Sequence, residues 1–204
     1  MIEETLRTEF EALKNDFEII RQQIESDVVR TELYKGEFYE LTPYSYQRHG
    51  FRQGKPVKRP DTVKNTKNLC IYGFNNQNQI VEVKVGCSIE NQFYHTFLYY
   101  TDNLVKSILY DNGKHLMNVC HNFFEGGKLK RLQLCGSHGS REENYIYKEN
   151  ALTHIEVKQY DIEGNSGNDL IHIFQYQDDG TLETITKSFP NGYSEIIYKT
   201  KRSC

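Results

Sequence analysis

The first 28 residues place apolar side chains at Leu6, Phe10, Leu13, Phe17, Ile20 and Ile24, at spacings of 4, 3, 4, 3 and 4. This is a seam with a period of 3.5 residues, as one face of an α-helix presents. No Gly or Pro interrupts it, so the pattern predicts one amphipathic helix over residues 2–28. Such a seam has to be covered. It packs on the rest of the chain, the commoner outcome for a single helix of this length, or it pairs with a second copy of itself.

From residue 69 the period falls to 2, and a unit recurs. It consists of an aromatic residue, a short turn-forming stretch, an aliphatic anchor, two further residues and a second aliphatic residue. The five instances run from Phe74 to Ile80 and Val83, Tyr100 to Val105 and Ile108, Phe124 to Leu129 and Leu132, Tyr147 to Leu152 and Ile155, and Tyr176 to Leu182 and Ile185. The linking stretches hold Asn75-Asn76, Asp102-Asn103, Gly126-Gly127, Glu149-Asn150 and Asp179-Gly180. Asn, Asp and Gly tolerate the positive φ of tight hairpin turns. A second set of turns, including Asp111-Asn112-Gly113 and Pro190-Asn191-Gly192, separates the units. The expectation is a mainly β fold, an antiparallel β-hairpin sheet of about ten to eleven strands, open and twisted or rolled into a half-barrel. Alternation in the strands after the anchors places Val83/Val85, Ile108/Tyr110, Leu132/Leu134 and Ile155/Val157 on one dry face, with Glu82/Lys84 and Arg131/Gln133 on a wet one. A helix of 27 residues is about 40 Å long and is able to lie across such a sheet. The return strands Gln92–Tyr100 and Lys114–Phe124 are apolar on both faces, which puts exposed rings on the outer surface as a second contact candidate.

Between these parts, residues 31–68 are less regular. Three of the four prolines lie here, Pro43, Pro56 and Pro60. The segment is expected to be a basic linker with a small hairpin over Glu32–Glu40, turning at Lys35-Gly36. The chain thus divides into a helix (1–30), a linker (31–68) and a β domain (69–204).

Charge sharpens this division. Residues 1–30 carry eight acids against four bases, and residues 48–67 carry seven bases against Asp61 alone. Arg48, Arg52, Lys55, Lys58 and Arg59 stand with Tyr44, Tyr46 and Phe51. Arginine beside aromatic rings is typical of binding hot spots and of single-stranded nucleic-acid sites, which makes these eight residues the candidate partner-binding surface. The alternatives are a solvated loop, or one that neutralises the acidic helix. The apolar supply is 15 Tyr and 11 Phe with no Trp, a composition suited to pleated, half-buried surfaces. No stretch approaches the roughly 20 apolar residues of a membrane helix. The start MIEETLRTEF is not a secretory signal. A cytosolic protein with five reduced cysteines is expected.

At the residues Tyr176–Tyr198, YQDDGTLETITKSFPNGYSEIIY, the chain resembles the tyrosine-aspartate repeat of RHS-type bacterial proteins. Tyr99–Leu134 resembles equally the MORN-type variant repeats of bacterial antitoxins. The likeness covers about 130 residues and is degenerate, since three of the five first turns lack Gly. Repeats of this kind specify architecture better than function. Long RHS-type arrays form toxin shells, whereas MORN-type variants occur among toxin-neutralising proteins. For so short an array the resemblance implies an immunity-type protein.

Catalytic chemistry finds less support. Cys120-His121 with Cys135 and His138 offers zinc-ligand types, but neighbouring strand residues point to opposite faces, so no metal site is expected. The seven histidines are expected to line up across strands as a polar ladder. No nucleophile elbow or phosphate-cradling loop is present in the sequence, and Asp178-Asp179-Gly180 reads as a hairpin turn. The functional expectation is a non-enzymatic protein without cofactor, monomeric or homodimeric, that occludes a partner protein. A nucleic-acid-binding module using residues 48–67, or a structural protein self-associating through the helix seam, are the alternatives.

Overall fold

In the computed structural model, which describes residues 4–59, 63, 65–167 and 169–200, the N-terminal seam forms two helices rather than one, α1 (Glu4–Ala12) and α2 (Phe17–Asp27). The even spacing of the seam conceals the break because it continues across it. Asn15 and Asp16 are poor helix-interior residues, whose short polar side chains compete for nearby backbone groups. At the break the carbonyl of Leu13 accepts the Asp16 N–H at 3.2 Å and the Tyr110 hydroxyl at 2.7 Å. Leu6, Phe10, Phe17, Ile20 and Ile24 are all buried, packed with Phe97, Ile108, Tyr110 and Val119 of the sheet. The seam is therefore occupied within the chain, and association through it requires the helices to leave the sheet. The helical acids also find partners there: Glu9 meets Lys106 and His121, Glu18 meets Lys114, and Glu25 meets Lys84. Among the described residues, these sheet side chains rather than the basic segment 48–67 hold the acidic helices.

The strands are β1 (Arg30–Lys35), β2 (Lys55–Pro56), β3 (Leu69–Phe74), β4 (Ile80–Gly86), β5 (Phe93–Tyr100), β6 (Leu104–Tyr110), β7 (Leu116–Glu125), β8 (Lys128–Gly136), β9 (Gly139–Lys148), β10 (Ala151–Tyr160), β11 (Leu170–Tyr176), β12 (Leu182–Ser188) and β13 (Ser194–Lys199), with a short helix α3 (Ser45–His49) between the first two. They form one open antiparallel sheet of 13 strands in the order β2-β1-β3-β4 and onward to β13. The count exceeds the expected ten to eleven because residues 31–68 supply β1 and β2. The hairpin expected at Lys35-Gly36 is not formed. β1 pairs instead with β3, from Arg30 opposite Phe74 to Lys35 opposite Leu69, and with Lys55–Pro56. Gly36, at φ +87°, turns the chain away. Gly54 brings it back so closely that a Cβ there would lie 2.2 Å from the Gly36 carbonyl oxygen.

Each of the five aromatic residues faces its aliphatic anchor directly across a hairpin: Phe74 and Ile80, Tyr100 and Val105, Phe124 and Leu129, Tyr147 and Leu152, Tyr176 and Leu182. In a regular strand, residues three apart point to opposite faces. Four of the five hairpins carry a register shift beside the closing pair. The extra residue returns Val83, Leu132, Ile155 and Ile185 to the face of their anchors. The Tyr100–Val105 hairpin has no shift, so Ile108 emerges on the other face, where α1 and α2 cover it. This corrects the expectation of one dry face. The helices bury one face around β4–β8, while two further clusters occupy the opposite face, around Tyr72 and Leu98 and around Tyr145 and Ile155.

The insert between β1 and β2 crosses that second face. Phe38 stacks on Tyr34 at 4.2 Å, and Tyr39 packs edge-on against Tyr72 and Phe74 of β3. Tyr44, five residues on, packs against Phe174 and Tyr176 of β11. Five residues reach at most about 17 Å, whereas eight strand spacings in a flat sheet measure about 38 Å. The sheet is therefore strongly curved around the insert, and its two edges, β2 and β13, do not pair.

Candidate functional site

Helix α3 is stopped at both ends by left-handed residues, Tyr44 (φ 57°) and Gly50 (φ 70°). This compact turn directs Arg48 into the sheet, where its side chain is 2% exposed. The Arg48 guanidinium donates from Nη2 to Glu143 Oε1 at 2.9 Å and from Nε to His172 Nδ1 at 3.0 Å. Glu143 also accepts the Tyr145 hydroxyl at 2.6 Å and pairs with Arg141. Because His172 Nδ1 accepts from a cation, the ring is neutral and its proton sits on Nε2. Burial, followed by the charge of Arg48, pushes its pKa down to about 3. Burial alone would raise the pKa of Glu143, but Arg48 and Arg141 outweigh it and hold the carboxyl at about 2. Burial and the Glu143 charge push the Tyr145 phenol up. At neutral pH the cluster is thus two guanidiniums, one carboxylate, a neutral imidazole and a phenol. It holds the insert to β9 and β11.

The eight residues expected to form one contact surface separate into two groups. Tyr46 and Arg48 are buried and Tyr44 is half-buried, all three facing inward as anchors. The expectation that Arg48 contacts a partner is corrected by its burial on Glu143. Phe51, Arg52, Lys55, Lys58 and Arg59 are exposed. Phe51 is 62% exposed, with the His49 ring lying nearly parallel at 6.1 Å. Lys55 sits directly opposite Lys35, whose Nζ reaches the Lys67 carbonyl. Like charges directly opposite each other in a sheet repel, so this edge is electropositive by construction.

Glu143, Tyr145 and Arg141 were not singled out in the sequence, and His172 was read only as one rung of a histidine ladder. A signal for them existed. Glu143 alternates in phase with Tyr145 and Tyr147, and His172 in phase with Leu170 and Phe174. A polar residue in register with buried ones marks a buried polar group that needs a partner. The histidine ladder is not formed among the described residues. His95 faces Lys84 and Tyr110, His121 faces Lys106 and Gln133, His154 faces Ile146 and Ile173, and His172 faces Ile155 and Lys187. Cys120 and His121 lie on opposite faces, the first in the curved-side cluster and the second on Glu9.

No helix among the described residues is long and apolar enough to cross a membrane. Comparison with known proteins returns no matching family, no matching curated protein and no matching solved structure.

Proposed function

We propose that this chain is a binding protein of the immunity or antitoxin kind, which neutralises a partner protein by covering an acidic surface on it. The observation that supports this reading is how the loop Phe51–Arg59 is held. On one side Arg48 is fastened beneath the insert by Glu143 and His172. On the other, Gly54 donates to the Glu37 carbonyl at 2.5 Å and Lys55–Pro56 pair with β1. Phe51, Arg52, Lys55, Lys58 and Arg59 stay exposed on a loop that is already ordered. Ordering before contact lowers the entropic cost of association. An exposed ring among cations gives an anchor with charge steering around it. The resemblance of Tyr176–Tyr198 to repeats of toxin-associated proteins agrees with this kind of partner. No reacting group is needed, since occlusion works by occupying a surface.

The same cations with Phe51 as a stacking ring also suit a single-stranded nucleic acid, which is the second reading. Calorimetric titration with the purified products of the neighbouring genes tests both. One neighbour's product is expected to bind, with affinity falling at least about tenfold in the triple variant Arg52→Glu, Lys55→Glu, Lys58→Glu at unchanged melting temperature. Failure of every neighbour's product to bind overturns the proposal. Binding of an RNA oligonucleotide that weakens steeply with salt replaces it with the second reading.

A further inference from the structure

The insert leaves one stretch of the curved face unfilled. This is a trough of about 780 Å³, floored by strands β3 to β8 and bordered by Tyr39–Thr42 of the insert. Its volume lies in the range of small-molecule sites, roughly 300–1,000 Å³. Six strands side by side span about 24 Å, so the trough is long and narrow. Its floor is largely apolar, with Leu98, Val105, Leu109 and Leu132, interrupted by Thr96, Ser107, Asn118 and Asn122, and at the β1 end Arg30 and Glu32 pair with each other. At the β8 end the lining changes character. Leu134, in the trough, lies directly opposite Arg141 in the β8–β9 pair. Leu134 and Asn118 also line a second depression that contains Arg141, so the trough adjoins the depression in which that side chain lies.

Arg141 has two properties that set it apart. Its Nε is buried and has no hydrogen-bond partner. It also shares the Glu143 carboxylate with Arg48. His172 accepts from Arg48 and is neutral, and Tyr145 donates to Glu143. The neighbouring Lys187–Glu195 pair adds no net charge. These groups together carry one excess positive charge beside the end of the trough, on Arg141, whose side chain is 28% exposed. A largely apolar channel that ends beside an undercompensated guanidinium matches one ligand chemistry, an alkyl chain with an anionic head.

We infer that the trough binds a long-chain aliphatic carboxylate, with its alkyl chain along the β3–β8 floor and its carboxylate at Arg141. The ligand supplies the negative charge that Glu143 cannot give to two arginines at once. This site is separate from the Phe51–Arg59 loop, and neither reading depends on the other.

Fluorescence titration of the delipidated full-length chain with dansylaminoundecanoate, followed by competition with oleate and with oleyl alcohol, tests it. Oleate is expected to displace the probe at micromolar concentration, about tenfold better than the alcohol. Arg141→Gln is expected to bring acid and alcohol within about twofold of each other while leaving alcohol competition intact. Leu109→Trp, which extends into the trough, is expected to abolish competition by both. If Arg141→Gln does not fold, the acid-to-alcohol ratio of the unmodified chain and the Leu109→Trp result still decide. No displacement by oleate, equal competition by acid and alcohol, or displacement by an acidic peptide but not by oleate overturns the inference.

Discussion

Replacing Arg48 with methionine isolates the lock under the insert. Methionine keeps much of the aliphatic stem and removes the guanidinium. Two bonds are lost, the one to Glu143 at 2.9 Å and the one to His172 at 3.0 Å. The 3.5 Å approach to the Tyr145 hydroxyl is too long to add much. Removing one partner of a buried ion pair costs about 3–5 kcal/mol when the other is left alone. Here Glu143 keeps Arg141 and the Tyr145 hydroxyl, which places the expected loss near the lower end, at ~3 kcal/mol. For a chain of this size, that lowers the melting temperature by about 6–12 °C. Differential scanning calorimetry reads this directly, and the urea midpoint supplies an independent value. Glu143→Gln should lose more, because it leaves Arg48 and Arg141 facing each other without a carboxylate. The double variant should lose less than the sum of the two singles, since the pair is removed together. Amide exchange in α3 should accelerate in Arg48→Met, while exchange in β4–β8 stays slow. A melting temperature within about 2 °C of the unmodified chain, or strict additivity in the double variant, refutes the reasoning that Arg48 fastens the insert.

Three further outcomes are expected. The folded pKa of His172 lies near 3, below its ordinary value of 6.5, so on acidification the unfolded chain binds a proton that the folded chain refuses. Stability is complete above about pH 6.5 and falls by about 1.4 kcal/mol per pH unit as pH drops towards 3. Glu143, held near 2 against an ordinary 4.5, adds a second loss in the same direction below about pH 4.5. Urea midpoints between pH 7.5 and 3.5 check this, and His172→Gln, which keeps an acceptor, should remove the upper slope alone. Gly54→Ala places a Cβ 2.2 Å from the Gly36 carbonyl oxygen, so the backbone must move. A loss of about 2 kcal/mol or more is expected in calorimetry, with weaker partner binding through the displaced loop. Tyr110→Phe leaves the Leu13 carbonyl without its hydroxyl donor. A loss of about 1–2 kcal/mol should appear, with faster amide exchange confined to the junction of α1 and α2.

Local chemistry in the sequence was sufficient for the hairpins. The turn residues and the aromatic and aliphatic residues on either side of them are close in the chain, so five cross-strand pairs and the eleven strands from Leu69 onward follow from nearest neighbours alone. The helical seam was legible for the same reason. What required the tertiary structure is everything that depends on counting across non-adjacent strands. One extra residue beside a closing pair turns each following side chain to the other face, and the sequence carries no mark of its absence at Tyr100–Val105. The break between α1 and α2 has a local cause in Asn15 and Asp16, but the group that fastens it to the sheet is Tyr110, 97 residues from the carbonyl it reaches. Arg48 looked like a surface charge because its counter-charge, Glu143, lies 95 residues away, on a strand that meets it only once the sheet has curved. A short-range pattern reports which groups turn and pair. The partner of a buried charge is chosen by the fold, because only the assembled sheet brings together groups able to offset the loss of water.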